Sequence, residues 1–403
     1  MQTKITLQES ERASRLQPSI TLKLTALAKE MKQSGKDVIG FGAGEPDFDT
    51  PDHIKQAAIQ AIQDGHTKYT PAAGLPELKT AICQWFADHR SLSYSPDQVV
   101  VSCGAKHTIA NIFLAVLNQG DDVLIPAPYW VSYPEQVRLA DANPVIIPTT
   151  ASTNFKLTPA LLESAITPNT KILILYSPSN PSGVVYTRSE LEALGRVIEQ
   201  TNIMILSDEI YGQLVYTNDE YVSIAQLSDQ LKEQTIVVDG VAKAYAMTGW
   251  RIGYMAGPVE IAKAVSTIQS HTTSNPTTPA QYATIAALTG DHEIVASRAA
   301  VFKQRRDMMV NALNEIPGIS CALPDGAFYT FPDISGCFGK SSSLGPITDS
   351  MSFCDHLLQE AQVACVPGVA FGIDACMRLS YATSEAAIKA GIERIHSFCK
   401  ELR

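Results

Sequence analysis

Short apolar runs rich in β-branched residues alternate with helical patterns through the middle of the chain. The runs are "QVVVS", "DVLIP", "PVIIP", "KILILY", "NIMILSDE" and "TIVVDG", and turn-forming residues such as Gly, Pro, Asn and Asp bound them. Between them lie segments such as "TRSELEALGRVIEQ", in which Thr187 is the predicted N-cap of a helix. Buried strands that alternate with helices predict an α/β fold, with a mostly parallel sheet covered by helices on both faces.

The pattern changes near residue 291. "EIVASRAAVFKQRRDMMVNALNEI" predicts a long helix, "GAFYTFPDISG" a strand, and "SEAAIKAGIERIHSFCKEL" an amphipathic helix at the end of the chain. These elements indicate a second, smaller α+β unit. We therefore expect an N-terminal arm with part of the small domain at 1–46, a large domain at 47–291 and a small C-terminal domain at 292–403.

Composition excludes several classes of partner. The 403 residues are 45% hydrophobic, which is ample for a large core, and the formal net charge is -10. An acidic surface argues against nucleic acid or an anionic membrane as the main partner. No apolar run approaches the ~18 residues of a membrane span, and the N-terminus lacks the apolar core of a signal peptide, so we expect a cytoplasmic protein. The cysteines form no C-x-x-C pair and no His/Cys cluster, which favours free thiols and argues against a metal site.

One lysine stands in unusual surroundings. The stretch "VDGVAKAYAMTGWRIGY", residues 238–254, sets Lys243 among small and apolar neighbours. A lysine that forms a Schiff base needs a partly neutral amine and therefore a shielded site. Arg251 supplies a fixed positive charge, which lowers the pKa of the lysine if the two are close. A surface lysine at the end of a strand is the alternative interpretation.

Four further motifs follow predicted strands or loops. Asp208 follows "IMIL" and Ser207, at the carboxyl end where parallel sheets bind ligands, and Tyr211 lies three residues on. Asn180 lies in the turn "SPSNPSG". Gly104 leads from a strand into a helix, whose first amides are suited to phosphate. Trp130 in "PAPYW" is either a stacking surface or a core aromatic. Each motif alone also fits an ordinary turn, cap or packing residue.

Together and in this order, the motifs carry a resemblance. The set "AGEPDF", "YTPAAGLPELK", "PAPYW", "SPSNPSG", "SDEIY", "AKAYAMTGWRIGY" and "RLSYATS" resembles the class I, fold-type I aminotransferases, which use pyridoxal 5′-phosphate. The chain is most similar to the prokaryotic-type aspartate aminotransferases, a group that also contains prephenate aminotransferases. The resemblance implies the three-layer fold of type I pyridoxal-phosphate enzymes, with the cofactor bound in the large domain.

The resemblance also implies roles for the matching residues. Lys243 matches the lysine that holds the cofactor as an imine, and Asp208 matches the carboxylate that faces its pyridine nitrogen. Tyr211 and Asn180 match groups that form hydrogen bonds to the ring oxygen. The implied phosphate ligands are Arg251, Gly104 and Ala105, and Trp130 matches the aromatic stacked on the ring. Lys243, Asp208 and Tyr211 would be the catalytic groups. Tyr69 matches a phosphate contact from the neighbouring subunit, which implies a homodimer with shared active sites.

The resemblance also implies contacts to the substrate. Arg378 in "RLSYATS" matches the arginine that binds the α-carboxylate, and Gly44 matches a nearby backbone contact. Trp130 and Asn180 are also expected to touch the substrate. In another branch of the family, an arginine of the partner subunit binds the distal carboxylate, and no matching arginine can be placed here. Our candidates for that role are Lys106, whose flexible ammonium suits several dicarboxylates, and Thr21. A solvated surface lysine is the alternative for Lys106.

The predicted activity is transfer of an amino group between aspartate or glutamate and a 2-oxo acid, either oxaloacetate or 2-oxoglutarate. A prephenate or other broad-specificity aminotransferase is the main alternative, and a pyridoxal-phosphate lyase on the same fold is another. A non-catalytic regulator would usually carry an added DNA-binding module, which the acidic charge disfavours. Ala242 departs from many relatives, which carry Ser before the lysine, and the change removes a hydroxyl near the phosphate.

Overall fold

The computed structural model describes residues 9–18 and 20–403. Its strands are, in chain order, β1 (Ile39–Gly40), β2 (Val99–Ser102), β3 (Asp122–Pro126), β4 (Asn143–Ile147), β5 (Thr170–Tyr176), β6 (Met204–Asp208), β7 (Thr235–Asp239), β8 (Gly253–Ala256), β9 (Tyr329–Thr330), β10 (Ser341–Ser342), β11 (Gly345–Pro346), β12 (Val363–Ala364), β13 (Val366–Pro367) and β14 (Met377–Ser380). Its α-helices are α1 (Glu11–Ser14), α2 (Ile20–Gln33), α3 (Asp52–Gln63), α4 (Pro76–Arg90), α5 (Ala105–Val116), α6 (Ser132–Leu139), α7 (Pro159–Ala165), α8 (Arg188–Ile198), α9 (Asp229–Gln234), α10 (Val259–Thr272), α11 (Thr278–Thr289), α12 (Glu293–Asn314), α13 (Ser350–Ala361) and α14 (Glu385–Glu401).

A seven-stranded sheet with the order β2-β8-β7-β6-β5-β3-β4 forms the centre of the protein. All six apolar runs that the sequence predicted as strands belong to it. Its strands β4, β3, β5, β6 and β7 pair in parallel, whereas β8 runs antiparallel to both of its neighbours. The predicted mostly parallel sheet is therefore confirmed, with one reversed strand that the sequence did not indicate.

Helices cover both faces of this sheet. Along β2, Val99 and Val101 pack in one apolar cluster, while Val100 packs in another with residues of α5, because successive side chains of a strand point to opposite faces. On the first face lie α4 and α11, and on the second α5 and α10. Helix α8 begins as predicted, because Thr187 accepts a hydrogen bond from the amide of Glu190 and the Glu190 side chain bonds back.

A further apolar cluster packs against the antiparallel sheet β13-β14-β9. Phe302 and Met309 of α12 pack there against Phe328 and Leu379. Strand β1 pairs in parallel with β12, so the chain near Ile39 lies beside the C-terminal region. The division at 1–46, 47–291 and 292–403 stays a prediction. In the part of the chain that is described, no helix combines the length and the apolar character that crossing a membrane requires.

Candidate active site

The site lies at one edge of the large sheet, where the carboxyl ends of the parallel strands meet. Asp208 is the last residue of β6, and Asn180 and Lys243 follow β5 and β7 after short loops. Gly104 follows β2, which is parallel to β7 because both run against β8. The reversal of β8 brings its N-terminal end, and Arg251 just before it, to the same edge. A fully parallel sheet would have placed that arginine on the opposite side.

A cavity of about 430 Å³ opens at this edge. The structure brings twelve of the thirteen predicted site residues to its wall: Thr21, Gly44, Gly104, Ala105, Lys106, Trp130, Asn180, Asp208, Tyr211, Lys243, Arg251 and Arg378. The exception is Tyr69, which lies outside the cavity and is 89% exposed. The predicted contacts within one subunit therefore share one cavity.

Lys243 is placed for nucleophilic and base chemistry. Its Nζ donates a hydrogen bond of 2.5 Å to the carbonyl of Gly44. Burial lowers the pKa of Lys243 to about 8, and the charge of Arg378 adds to this effect, while Glu45 and Asp208 oppose it in part. The amine therefore has a much larger neutral fraction at neutral pH than an ordinary lysine.

Asp208 is a buried carboxylate that two donors hold in place. The hydroxyl of Tyr133 donates to its Oδ2 at 2.7 Å, and the amide of Ile210 donates to its Oδ1 at 3.3 Å. Burial raises the pKa of Asp208, whereas these hydrogen bonds and Lys243 lower it. A carboxylate in such a place is stabilised by a cationic partner, and a protonated ring nitrogen is one.

Arg378 is a buried cation without a carboxylate. It is 4% exposed, and no described Asp or Glu lies within ion-pair distance of it. Its guanidinium donates to Oδ1 of Asn180 at 3.0 Å and to the carbonyl of Gly42 at 2.7 Å, while its Nε has no acceptor among the described atoms. Since an uncompensated buried charge is costly, this arrangement favours an anionic ligand.

The start of α5 forms an anion cradle. Gly104 has φ +92°, and a Cβ there would lie 2.4 Å from Nη2 of Arg251, so only glycine fits. Arg251 is held by the carbonyls of Thr248, at 2.7 Å, and Cys103, at 3.3 Å. The first amides of α5 have no acceptor within the helix, and together with the guanidinium they suit a phosphate.

Lys106 lies at the other end of the same turn. Its Nζ is 4.8 Å from the centroid of the Trp130 ring. Burial and the charge of Arg251 lower the pKa of Lys106, and no described carboxylate pairs with it. Thr21, in the first turn of α2, also lines the cavity. This placement makes Lys106 available to an anion in the cavity.

Sequence reasoning missed other residues of the wall. Tyr133 bonds Asp208, and Tyr329 bonds the Tyr211 hydroxyl at 2.8 Å. Glu45 accepts a hydrogen bond of 3.0 Å from Thr248 and faces Lys243. Tyr133 could have been predicted from the sequence, since it lies only three residues after Trp130. Tyr329 was hidden in a segment that indicates only an apolar strand.

Comparisons with known proteins agree with this geometry. A family model described as aminotransferase class I and II matches residues 36–395. An aspartate/prephenate aminotransferase of Cereibacter sphaeroides is 50% identical over 98% of this chain and 99% of the relative, and an aspartate aminotransferase of Geobacillus stearothermophilus is 50% identical over 96% and 98%. The crystal structure of the aspartate aminotransferase from Rhizobium meliloti matches with a TM-score of 0.96 at 46% identity, over 99% of this chain and 100% of that one.

Proposed function

The chain belongs to the class I and II aminotransferases, and on that premise we propose that it transfers amino groups between aspartate or glutamate and the 2-oxo acids oxaloacetate and 2-oxoglutarate. The observation that carries the proposal is the cavity wall, where Lys243, with its pKa lowered to about 8, lies near the buried carboxylate Asp208 and the guanidinium of Arg378, which has no carboxylate partner among the described residues. An amino acid substrate needs an amine-reactive centre and an anchor for its α-carboxylate, and this wall has a group for each.

We propose pyridoxal 5′-phosphate as the cofactor, because the residues present fit each of its polar groups. Arg251 and the first amides of α5 would hold the phosphate, Asp208 would face the ring nitrogen, and Lys243 would bond the aldehyde carbon. When bound, pyridoxal phosphate supplies a carbon that accepts amines and a ring that accepts an electron pair. The cradle at Gly104, which a Cβ would fill, supports the phosphate position.

Trp130, Asn180 and Tyr211 complete the proposed cofactor contacts. The Asn180 Oδ1 already accepts from Arg378, so its amide nitrogen is the group left to donate to a ring oxygen. The hydroxyl of Tyr211 would donate to the same oxygen. Trp130 would cover one face of the ring.

Lys243 would act as the base in the proposed reaction. With a pKa near 8, it can take a proton at neutral pH and give it up again, which suits the removal of the substrate's Cα proton. Asp208 would keep the ring nitrogen protonated, because an adjacent carboxylate raises the pKa of a cationic acid. Arg378 would bind the α-carboxylate through two parallel hydrogen bonds and so hold Cα near the lysine.

The distal carboxylate of the substrate would meet Lys106, with help from Thr21. The position of Lys106 over Trp130 supports this role, since no carboxylate in the described part of the chain pairs with its ammonium. Prephenate is the second candidate substrate, because the relative from Cereibacter sphaeroides, at 50% identity, is named an aspartate/prephenate aminotransferase. It also presents carboxylates, which a flexible ammonium can reach at different distances.

We further propose a homodimer with shared active sites. Tyr69, at 89% exposure, projects from the surface, and Ile59 and Ile62 of α3 are 44% and 54% exposed. Burying this apolar surface against a second copy would stabilise a dimer and would let Tyr69 reach the partner's phosphate. We place the protein in the cytoplasm, where its cysteines would stay as the free thiols that the structure has.

Borohydride reduction of the protein loaded with pyridoxal phosphate, followed by peptide mapping, tests the proposal. The label should appear on Lys243, and Lys243→Ala should lose both the label and the transfer of amino groups from aspartate to 2-oxoglutarate. Lys79→Ala is a matched control, because Lys79 is also partly buried with a lowered pKa but lies outside the cavity. A label on another lysine, or full activity in Lys243→Ala, would refute the assignment.

A further inference from the structure

Tyr329 joins the proposed substrate and cofactor halves of the site. It belongs to β9, which pairs with β14, the strand that carries Arg378. Its side chain is fully buried and forms part of the cavity wall. The segment between Gly42 and Gly44, which accepts hydrogen bonds from Arg378 and Lys243, passes directly over its hydroxyl.

Two close contacts hold this ring, and the backbone of Gly44 lies nearby. Its hydroxyl is 2.8 Å from the hydroxyl of Tyr211. The guanidinium carbon of Arg378 lies 4.4 Å from the ring centroid. The backbone of Gly44 passes close to the Tyr329 oxygen, since a Cβ built on that glycine would lie 3.0 Å from it. The ring therefore connects the arginine on one side to Tyr211 on the other.

The direction of the hydrogen bond between the two hydroxyls matters. Within the described residues, the only hydrogen bond of the Tyr211 hydroxyl is the one with Tyr329. If Tyr329 donates, the Tyr211 proton is free to point into the cavity. If Tyr211 donates, its proton lies in the hydrogen bond to Tyr329, and only the lone pairs of its oxygen face the cavity.

Electrostatics favour Tyr329 as the donor. Burial raises the pKa of both phenols, and the positive charge of Arg378 opposes that rise in both, most directly in Tyr329, because the guanidinium lies on the face of that ring. The pKa of Tyr211 is raised further, because Tyr329 and the carboxylate of Asp208 disfavour its ionised form. The more acidic hydroxyl of a pair is the better donor, and a cation on the ring face increases that acidity.

We propose that Tyr329 is a positioning residue, which donates to Tyr211 and so turns the Tyr211 proton toward the ring oxygen of the cofactor. The inference rests on the proposed function and deepens it. It also means that a carboxylate arriving at Arg378 alters the charge over the Tyr329 ring, so binding of the substrate and the hydrogen bond to the cofactor are linked through one side chain.

A double-mutant cycle tests the proposal on the intact, cofactor-loaded protein. We expect Tyr329→Phe to lower kcat/KM for aspartate about fivefold to tenfold, as for the loss of one hydrogen bond, and Tyr211→Phe to lower it at least as much. Since Tyr329 acts through Tyr211, adding Tyr329→Phe to Tyr211→Phe should change kcat/KM less than twofold. Independent losses that multiply in the double variant would overturn the proposal, as would unchanged kinetics in Tyr329→Phe.

Two readouts other than turnover separate positioning from a general effect on the fold. The pH midpoint of the visible absorption of the loaded protein should move in the same direction in Tyr329→Phe as in Tyr211→Phe. The affinity of the cofactor-free protein for pyridoxal phosphate should fall in both. Tyr381→Phe is the matched control, because Tyr381 is equally buried and its hydroxyl donates at 3.2 Å to the carbonyl of Ala327, outside the cavity. A shift of the same size in Tyr381→Phe would contradict the positioning role.

The outcomes distinguish this inference from the proposed function. If the wild-type protein transfers no amino group and Lys243 carries no label, the proposed function has failed. If the wild-type protein is active but the two tyrosines act independently, only the role of Tyr329 has failed.

Discussion

Lys106→Ala should change the choice between amino acids. In the proposed site, the ammonium of Lys106 lies over the Trp130 ring at the cavity wall and binds the second carboxylate of aspartate. The substitution removes that charge but leaves Lys243, Asp208 and Arg378 in place. Aspartate should therefore lose catalytic efficiency, whereas alanine, which has no second carboxylate, should be nearly unaffected.

The structure sets the size of this effect. A hydrogen bond to a charged group contributes about 1.5–3 kcal/mol. Lys106 is only partly buried and remains open to solvent, which screens part of its charge, so the expected value lies at the lower end, about 1.5 kcal/mol. That free energy corresponds to a loss of about tenfold in kcat/KM for aspartate.

Steady-state kinetics with aspartate and alanine, each with 2-oxoglutarate, measures the ratio of the two efficiencies. The ratio should fall about tenfold in Lys106→Ala and should stay near the wild-type value in Arg378→Lys, which penalises both substrates because both present an α-carboxylate. In the wild type, the ratio should also fall as the pH rises through the pKa of Lys106. Burial and Arg251 lower that pKa, so the fall begins at a lower pH than for an ordinary lysine.

Equal losses for aspartate and alanine in Lys106→Ala would refute this reasoning. Such a result would mean that Lys106 serves the cofactor or the fold. A ratio in the wild type that does not change with pH would also count against a charged contact.

Three further predictions concern the reacting groups and the dimer. Asp208→Asn should keep the fold, because the amide oxygen can still accept a hydrogen bond from Tyr133. The transition state should lose about 3 kcal/mol of stabilisation, so kcat/KM should fall a hundredfold or more. Near-normal turnover would contradict the role of the carboxylate. In the cofactor-free protein, the rate at which an acylating reagent modifies Lys243, measured by mass spectrometry, should rise with pH and have its midpoint near pH 8. A midpoint near 10.5 would show an ordinary lysine. Mixed Tyr69→Phe and Lys243→Ala subunits should form hybrid dimers that have one intact site and should exceed the activity of either parent, and no gain after verified subunit exchange would argue against shared sites.

The sequence was sufficient for the parallel part of the sheet and for most of the cavity wall. β-Branched runs such as "KILILY" and "TIVVDG" predict buried strands from local composition alone. Because the carboxyl ends of parallel strands meet at one edge, polar residues at those ends, such as Asp208, can be assigned to one site from their place in the sequence.

Strand direction and partner choice are not local properties, and there the sequence analysis was incomplete. Strand β8 has four residues, two of them glycine and alanine, and nothing in them shows that the strand runs against its neighbours. The expected strand in "GAFYTFPDISG" is only Tyr329–Thr330, since Pro332 has no amide hydrogen to donate. Tyr133 and Tyr329 were missed because a buried ring with a polar tip has the same pattern as a core aromatic.

The reversal of β8 has one more consequence. It returns the chain to the same edge within residues 240–252, so that Lys243 and Arg251 lie on one short connection between β7 and β8. Because the two groups are close together, a ligand that Arg251 holds at one end is presented to Lys243 at high effective concentration. The phosphate would then act as a recruiting handle for the aldehyde. Pyridoxal without its phosphate would keep only the proposed contacts to its ring, and the increase in effective concentration that the phosphate gives at Lys243 would be lost.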